Sequence, residues 1–165
     1  MKETFSDARI AEFLRRSYFA VDGLWFVKIE EKHGFDEAMA LDEAVWKVMS
    51  KVQARKAREL TGITGDSLQD LARCFQLKFA AEGYGFDLEA SEDEVRLTVT
   101  LCPWYEILTS SGRTAIAETI ADRICAREFA GWTREFGGGI DLEFQGRLCV
   151  ESERCDKCRI VFHRR

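Results

Sequence analysis

The stretch GYGFDLEASEDEVRLTVTLCP, residues 83–103, decides the fold. Apolar and polar residues alternate on both sides of a turn at 91–93, which predicts two antiparallel strands over 84–90 and 94–101. One face of the second strand is apolar and carries Val95, Leu97, Val99 and Leu101. Pro103 has no N–H to donate to a sheet, so the strand should end before it. The stretch is therefore a β-hairpin whose apolar face needs a cover.

Helices are predicted before this hairpin. Residues 1–82 show the spacing of apolar side chains that indicates α-helices. Capping-box patterns place helix N-termini at Thr4 and Asp66, and Gly34 predicts a break. Asp22-Gly23 is expected to bend or interrupt the first helix. These signals predict four helices in the first half of the chain.

A long helix and a second hairpin are predicted after it. An apolar stripe runs from about Arg113 to Phe136 at helical spacing, and Gly137-Gly138-Gly139 should stop this helix. Strand alternation returns over residues 140–148 and 158–163, which predicts a closing hairpin. A bulge at Gly146 would shift the register of that hairpin.

This order of elements predicts an α+β fold in one domain, residues 1–165. The first half, about 1–82, is helical. The second half, about 83–165, is a small antiparallel sheet of two hairpins packed against the long helix.

Composition and charge limit the classes of function that the chain can have. The chain of 165 residues is 46% hydrophobic and 32% charged, which is typical of a globular domain with its own core. A formal net charge of -5 argues against nucleic-acid binding, which needs a basic face. No apolar run approaches the roughly 20 residues of a membrane span, and the N-terminus does not have the pattern of a secretory signal. We therefore expect a cytoplasmic protein with reduced cysteines and with neither a nucleic-acid nor a membrane partner.

The cysteines are the sharpest chemical signal. Five of the six lie in the last 64 residues. Thiolates are soft ligands for zinc, and a C-x-x-C pair can wrap around one ion. The sequence therefore predicts a metal site, with zinc as the expected ion and iron or an iron–sulfur cluster as alternatives. The expected ligands are Cys102, Cys125, Cys149 and Cys158, with Cys155 as a substitute. The alternative is that these cysteines are small core residues and ordinary thiols.

A second candidate site follows the hairpin. In Cys102-Pro103-Trp104-Tyr105-Glu106, two aromatic rings and a carboxylate surround a proline bend, which could line a pocket for a small flat ligand. The alternative is a hydrophobic plug over the sheet edge. Trp132 belongs to the segment 128–132, whose small residues Ala130 and Gly131 permit close approach. Packing of helix against sheet is the favoured interpretation of that segment.

Several stretches together resemble a known family. They are Leu14-Arg15-Arg16-Ser17-Tyr18-Phe19, Asp22-Gly23-Leu24-Trp25-Phe26, Cys102-Pro103-Trp104, Ile124-Cys125, Glu128-Phe129-Ala130-Gly131-Trp132, Gly146-Arg147-Leu148-Cys149 and Cys158-Arg159-Ile160-Val161-Phe162. With these, the chain resembles bacterial and archaeal proteins allied to L-2-amino-thiazoline-4-carboxylic acid hydrolases. Its second half is also similar to the 4-vinyl reductase, or hydrocarbon-binding, domain. That second resemblance implies an α+β fold and a cysteine in a closing hairpin beside a metal and small-ligand site.

Two functions follow from these observations. The first is a cytosolic domain that binds a small hydrophobic or aromatic molecule near Trp104, Tyr105 and Trp132, with a cysteine-bound metal in the C-terminal half. The second is a metal-assisted hydrolase of a small amidine-like heterocycle, in which Glu106 or Glu128 moves a proton. A homo-oligomer with the aromatic-rich N-terminal helices at its interface is compatible with either. We favour the binding domain, because four thiolate ligands would close the coordination of zinc.

Overall fold

The computed structural model describes residues 3–153 and 155–165. The chain divides into two compact units, residues 1–42 and 43–165. The first unit holds helix α1 (Asp7–His33) and the start of α2 (Phe35–Thr61). The second unit holds the rest of α2 and every later element, so the cysteines and the sheet belong to one unit.

The ends of the first N-terminal helix are determined by a capping side chain and by a glycine. Ser6, rather than Thr4, caps α1, because its hydroxyl accepts the N–H of Arg9 at 3.4 Å. The helix continues through Gly23 without the expected interruption, since one glycine costs only about 1 kcal/mol in a helix interior. Gly34 ends it with a φ of 89°, a value that favours glycine. The first half therefore has three helices instead of four.

Helix α3 (Leu68–Glu82) completes the helical half. Its capping box lies one residue later than the sequence suggested. The Ser67 hydroxyl accepts the N–H of Asp70 at 3.0 Å, and the Asp70 carboxylate accepts the N–H of Ser67 at 3.1 Å. Gly83 closes α3 in the left-handed conformation, with a φ of 77°.

The strands form one four-stranded antiparallel sheet, so the expected α+β fold with its small antiparallel sheet is confirmed. The strands are β1 (Gly85–Ala90), β2 (Glu94–Leu101), β3 (Ile140–Gly146) and β4 (Cys158–Arg164), and their spatial order is β1-β2-β4-β3. The pairing of β3 with β4 shifts register between Phe144 and Gly146, the place where a bulge would have this effect. Both hairpins thus join in a single sheet through the β2–β4 pair.

One face of the sheet is buried and supplies most of the core. Val95, Leu97 and Val99 are each at most 3% exposed, as their shared face predicted. Helices α3 and α6 (Ala126–Arg134) pack on this face. Phe75 of α3 is fully buried and makes ring contacts with Phe79, Phe129, Trp132 and Phe162.

The segment between the hairpins contains the long helical stretch that the sequence predicted, but not all of its turns are α-helical. Residues 103–110 form a helix, α4 (Pro103–Ser110), and proline suits its first turn. A 3₁₀ turn (Thr114–Ile116), a short helix α5 (Ala117–Ile120) and a π-helical turn (Ala121–Cys125) then lead into α6. A π turn inside a helix is rare, and the turns of this kind that occur are often at functional sites. This one ends at Cys125.

Apolar side chains are exposed on both N-terminal helices. Helix α1 exposes Ile10, Phe13, Leu14, Val21, Leu24 and Trp25, and α2 exposes Leu41, Val45, Val48 and Val52. Charged residues interrupt these stripes, and among the described residues no helix has both the length and the apolar character of a membrane span.

Candidate functional site

A cavity lies where β2 ends and α4 begins. Its volume is about 530 Å³, and it is open on one side. The lining residues come from the end of β2, from one face of α4 and from the loop after β3: Thr100, Leu101, Cys102, Tyr105, Glu106, Thr109, Ser110 and Leu148. The volume is within the range of about 300–1,000 Å³ that is typical of small-molecule sites.

The turn from β2 into α4 brings these side chains together. Cys102 is the residue immediately before α4, and its carbonyl accepts the N–H of Glu106 at 3.0 Å. Pro103 stops the strand and starts the helix. The hydroxyl of Thr109 donates to the carbonyl of Tyr105 at 2.9 Å, so its polar group is already satisfied within α4. The Glu106 carboxylate is the charged group that α4 contributes to the lining of this cavity.

Of the three aromatic residues expected around a ligand, Tyr105 lines the cavity. Trp104 packs edge-to-face on Trp46, with ring centroids 5.5 Å apart. Trp132 is completely buried in the core and packs on Phe75. The structure therefore separates the expected aromatic trio into one cavity residue and two packing residues.

Behind the cavity, Cys102 lies in a group of thiols. It is close enough to Cys149 and Cys125 that their negative charges would repel one another if ionised. The Tyr84 side chain lies near Cys102 and opposes part of the rise in its pKa. Although Cys102 keeps some exposure toward the cavity, burial raises the pKa of its thiol to about 11. Burial also raises the pKa of Cys125 well above its usual value. Both groups are therefore neutral thiols at neutral pH.

Cys149 and Cys158 meet directly. The side chains of Cys149 and Cys158 interact, and this interaction lowers the pKa of Cys149 and raises that of Cys158. The backbone N–H of Leu148 donates to the sulfur of Cys158 at 3.4 Å. The bulge at the end of β3 and the loop after it thus place Cys149 against the first residue of β4. We refer to Cys102, Cys125, Cys149 and Cys158 as the thiol cluster.

The two remaining cysteines lie apart from these contacts. The Cys155 thiol donates to the carbonyl of Glu153 at 3.3 Å, and Cys74 is buried in α3 beside the Thr61 hydroxyl, 3.7 Å away. Across residues 3–153 and 155–165, no group of three or more histidine, cysteine, aspartate or glutamate side chains is arranged to hold a metal ion as it stands.

A buried ionic group adjoins the thiol cluster. The Lys78 ammonium lies 3.0 Å from a carboxylate oxygen of Glu82 and 3.0 Å from one of Glu128, and all three side chains are less than 10% exposed. The contact with Oε1 of Glu128 has the distance of an ion pair but leaves that oxygen without a well-aligned hydrogen bond. Gln53 donates to the other oxygen of Glu82 at 2.9 Å. We call Lys78, Glu82 and Glu128 the ionic triad.

The triad has one positive charge for two carboxylates. Burial disfavours the Lys78 ammonium, but Glu128 and Glu82 more than offset this and hold its pKa above the usual value. Burial raises the pKa of Glu128, and Lys78 compensates only in part because it is shared. Glu106 and Glu128, the two expected proton carriers, thus lie in different surroundings, one in the cavity wall and one in the triad.

The triad was not predicted from the sequence, although a signal for it was present. Lys78 follows Leu71, Cys74 and Phe75 at helical spacing, so it lies on the apolar stripe of α3. A lysine in that position must be paired when it is buried. Glu82, four residues later on the same face, is the partner that this spacing predicts.

Comparison with known proteins assigns a family but no activity. The model of a family of unknown function, DUF6125, matches residues 6–102 of the 165 in the chain. The match extends from α1 to the end of β2 and includes Cys102, whereas the other three members of the thiol cluster lie beyond it. No curated protein matches the chain significantly. Since the match covers more than half of its length, the chain belongs to the DUF6125 family.

Proposed function

We propose that this domain binds a small hydrophobic or aromatic molecule in the cavity beside α4 and a zinc ion on the thiol cluster behind it. The position of Cys102 carries the proposal, because this residue lines the cavity and also belongs to the thiol cluster. A ligand in the cavity would therefore lie against a metal-binding residue. A cytoplasmic location fits the proposal, since a reducing compartment keeps cysteines as thiols and all six are free.

The cavity suits a ligand of mixed character. Leu101, Leu148 and the ring of Tyr105 offer apolar contacts. The Glu106 carboxylate offers one charged hydrogen-bond acceptor, which would select for a ligand with an N–H or O–H donor. A few polar groups in a mainly apolar lining are the usual arrangement of a small-molecule site.

The thiol cluster suits a soft metal ion. Its four sulfurs come from four separate segments: the end of β2, the π turn, the loop after β3 and the start of β4. Such convergence is how a structural zinc site ties distant segments together. Binding would require the thiols to lose their protons and to draw closer around the ion, so metal binding and folding of the C-terminal segment would be coupled.

The ligand part of the proposal is tested with indole as the probe. Tyr105→Ala should weaken indole binding by roughly 2- to 10-fold, because an aromatic pair is worth about 0.5–1.5 kcal/mol beyond its buried area. Tyr105→Phe keeps the ring and should bind indole as the wild type does. Isothermal titration calorimetry measures both. Equal affinity of wild type and Tyr105→Ala would place the ligand elsewhere, whereas equal losses in the two variants would show that the hydroxyl rather than the ring makes the contact.

The metal part is tested by thermal unfolding with and without a chelator. For the wild type, removal of zinc should lower the melting temperature, because the bound ion stabilises only the folded chain. Cys149→Ser removes one ligand, so its melting temperature should already be low and should respond little to the chelator. Cys74→Ser is the matched control, since Cys74 is a buried cysteine outside the cluster. If the melting temperature of the wild type were the same with and without the chelator, the zinc site would be refuted.

A further inference from the structure

We infer that α1 is a self-association surface, on which a second copy of this chain packs antiparallel through the exposed apolar face of the helix. Residues that share this face recur every three or four positions, which is the spacing of one helix side. They are Ile10, Phe13, Leu14, Ser17, Ala20, Val21, Leu24 and Trp25, and all are exposed. We call them the α1 seam. It lies within residues 1–42 and has no part in the cavity or the thiol cluster.

The size of the seam points to a macromolecular partner. Six of its side chains are between 47% and 71% exposed: Ile10, Phe13, Leu14, Val21, Leu24 and Trp25. With roughly 150–250 Å² for a large side chain, they leave about 500–900 Å² of apolar surface on each chain. A monomer rarely exposes a patch above about 300–600 Å², whereas a stable dimer buries about 800 Å² per partner. The α1 seam therefore has the area of half a dimer interface.

The seam is complementary to itself when two copies run antiparallel. With Ser17 at the two-fold axis, large residues on one copy meet small or aliphatic residues on the other. The resulting pairs are Ile10 with Leu24, Phe13 with Val21, Leu14 with Ala20, and Ser17 with its own copy. The small side chains Ser17 and Ala20 lie near the centre and allow the helices to approach closely. The Ser17 hydroxyl donates to the carbonyl of Phe13 at 2.8 Å, so it can enter an apolar interface without losing a hydrogen bond.

Charges at the two ends of the seam select the antiparallel orientation. Asp7 lies two turns before Leu14 on the same side of α1, and Lys28 lies two turns after Val21. Antiparallel pairing brings Lys28 of each copy beside Asp7 of the other, whereas parallel pairing would oppose like charges. The bond of Lys28 to Glu31, 2.7 Å long, is an exposed pair of small stability, so Lys28 is able to turn to the second copy.

Sedimentation equilibrium of the full chain tests this interface. The wild type should have twice the 18.9 kDa mass of one chain. Leu14→Glu should raise the dimer dissociation constant by roughly 100-fold or more, because it buries two unpaired carboxylates per dimer. The position is 59% exposed, so folding should be unaffected, and circular dichroism checks this. Leu60→Glu, at a leucine of α2 that is 69% exposed, is the matched control and should remain dimeric.

A charge exchange tests the orientation. Asp7→Lys alone and Lys28→Asp alone should each weaken the dimer by roughly 3- to 10-fold, since each opposes like charges at both ends. The double variant should recover the affinity of the wild type. A monomeric wild type would overturn the inference, and so would a dimer that survives Leu14→Glu. Binding of a monomeric wild type to phosphatidylserine vesicles would instead assign the seam to a lipid surface and would also overturn it.

Discussion

Lys78→Met is expected to lower the free energy of unfolding by about 3–5 kcal/mol at neutral pH, because removing one partner of a buried ion pair leaves the others uncompensated. Methionine keeps most of the volume of the lysine stem, so the loss comes from charge and hydrogen bonding rather than from a cavity. Glu82 and Glu128 would then face each other in the core without the shared ammonium. Urea denaturation followed by circular dichroism measures the difference.

The loss in the free energy of unfolding of Lys78→Met should depend on pH, and the charges of the triad determine the direction of that dependence. Burial raises the pKa of Glu128 in the folded chain, and without Lys78 nothing in the triad opposes that effect. The folded variant therefore holds protons more tightly than the unfolded chain, so its stability rises as the pH falls. The deficit should shrink as the pH falls through the folded pKa of Glu128 toward about 4.3, the pKa of an exposed glutamate.

Lys56→Met is the matched control for this prediction. Lys56 pairs with Glu59 at 2.5 Å, but both side chains are more than half exposed. Exposed pairs contribute about 0–1 kcal/mol, so this variant should have nearly the stability of the wild type at every pH. If Lys78→Met behaved like Lys56→Met, the triad would have no role in stability.

Gly131→Ala is expected to destabilise the chain by about 1–3 kcal/mol, the usual cost of overpacking a core. A Cβ at this position would lie 2.1 Å from the hydroxyl oxygen of Ser50 and 2.7 Å from its Cβ. Ser50 of α2 is completely buried, so it has no space into which to move. Replacing a glycine inside a helix with alanine otherwise stabilises by about 0.5–1 kcal/mol. The expected sign is therefore the reverse of the intrinsic helix preference.

Two further variants separate close packing from a general effect of the substitution. Gly23→Ala is also inside a helix, but no atom lies within 4 Å of its added Cβ, so it should stabilise the chain. Ser50→Gly combined with Gly131→Ala should recover part of the loss, because it removes the side chain that the new methyl group meets. A stabilising Gly131→Ala, measured by thermal unfolding, would show that α2 and α6 do not approach closely at this point.

Elements of the fold could be predicted where the spacing of apolar residues along the sequence matches the side of the element that is buried. The alternation in residues 94–101 predicted the burial of Val95, Leu97 and Val99, whereas Leu101 on the same face is 39% exposed. Gly34 ended a helix as expected. The interruption at Gly23 was wrong, because the cost of one glycine is small against the length of α1. The long helix predicted over about 113–136 is present over residues 114–134, but its 3₁₀ and π turns were not predicted, since apolar spacing alone does not distinguish them from α-helix.

The candidate site could be predicted only in part. The cysteines were identified by their residue type. Which residues they contact depends on a π turn and a bulge, and neither is visible in the spacing of apolar residues that indicates a regular strand or α-helix. Tyr105 and Glu106 line the cavity because they are adjacent residues on the side of α4 that faces it. Trp132 did not, because its position on the apolar stripe of α6 places it in the core.

Elemental analysis of the chain, purified anaerobically without a metal-binding tag, tests the zinc site by measuring the zinc content per chain. The thiol cluster predicts about one zinc per chain in the wild type and in Cys74→Ser, and much less in Cys102→Ser and Cys149→Ser. Absence of stoichiometric metal in the wild type, or an equal zinc content in all four proteins, would contradict the account and leave the four cysteines as packing residues beside the cavity.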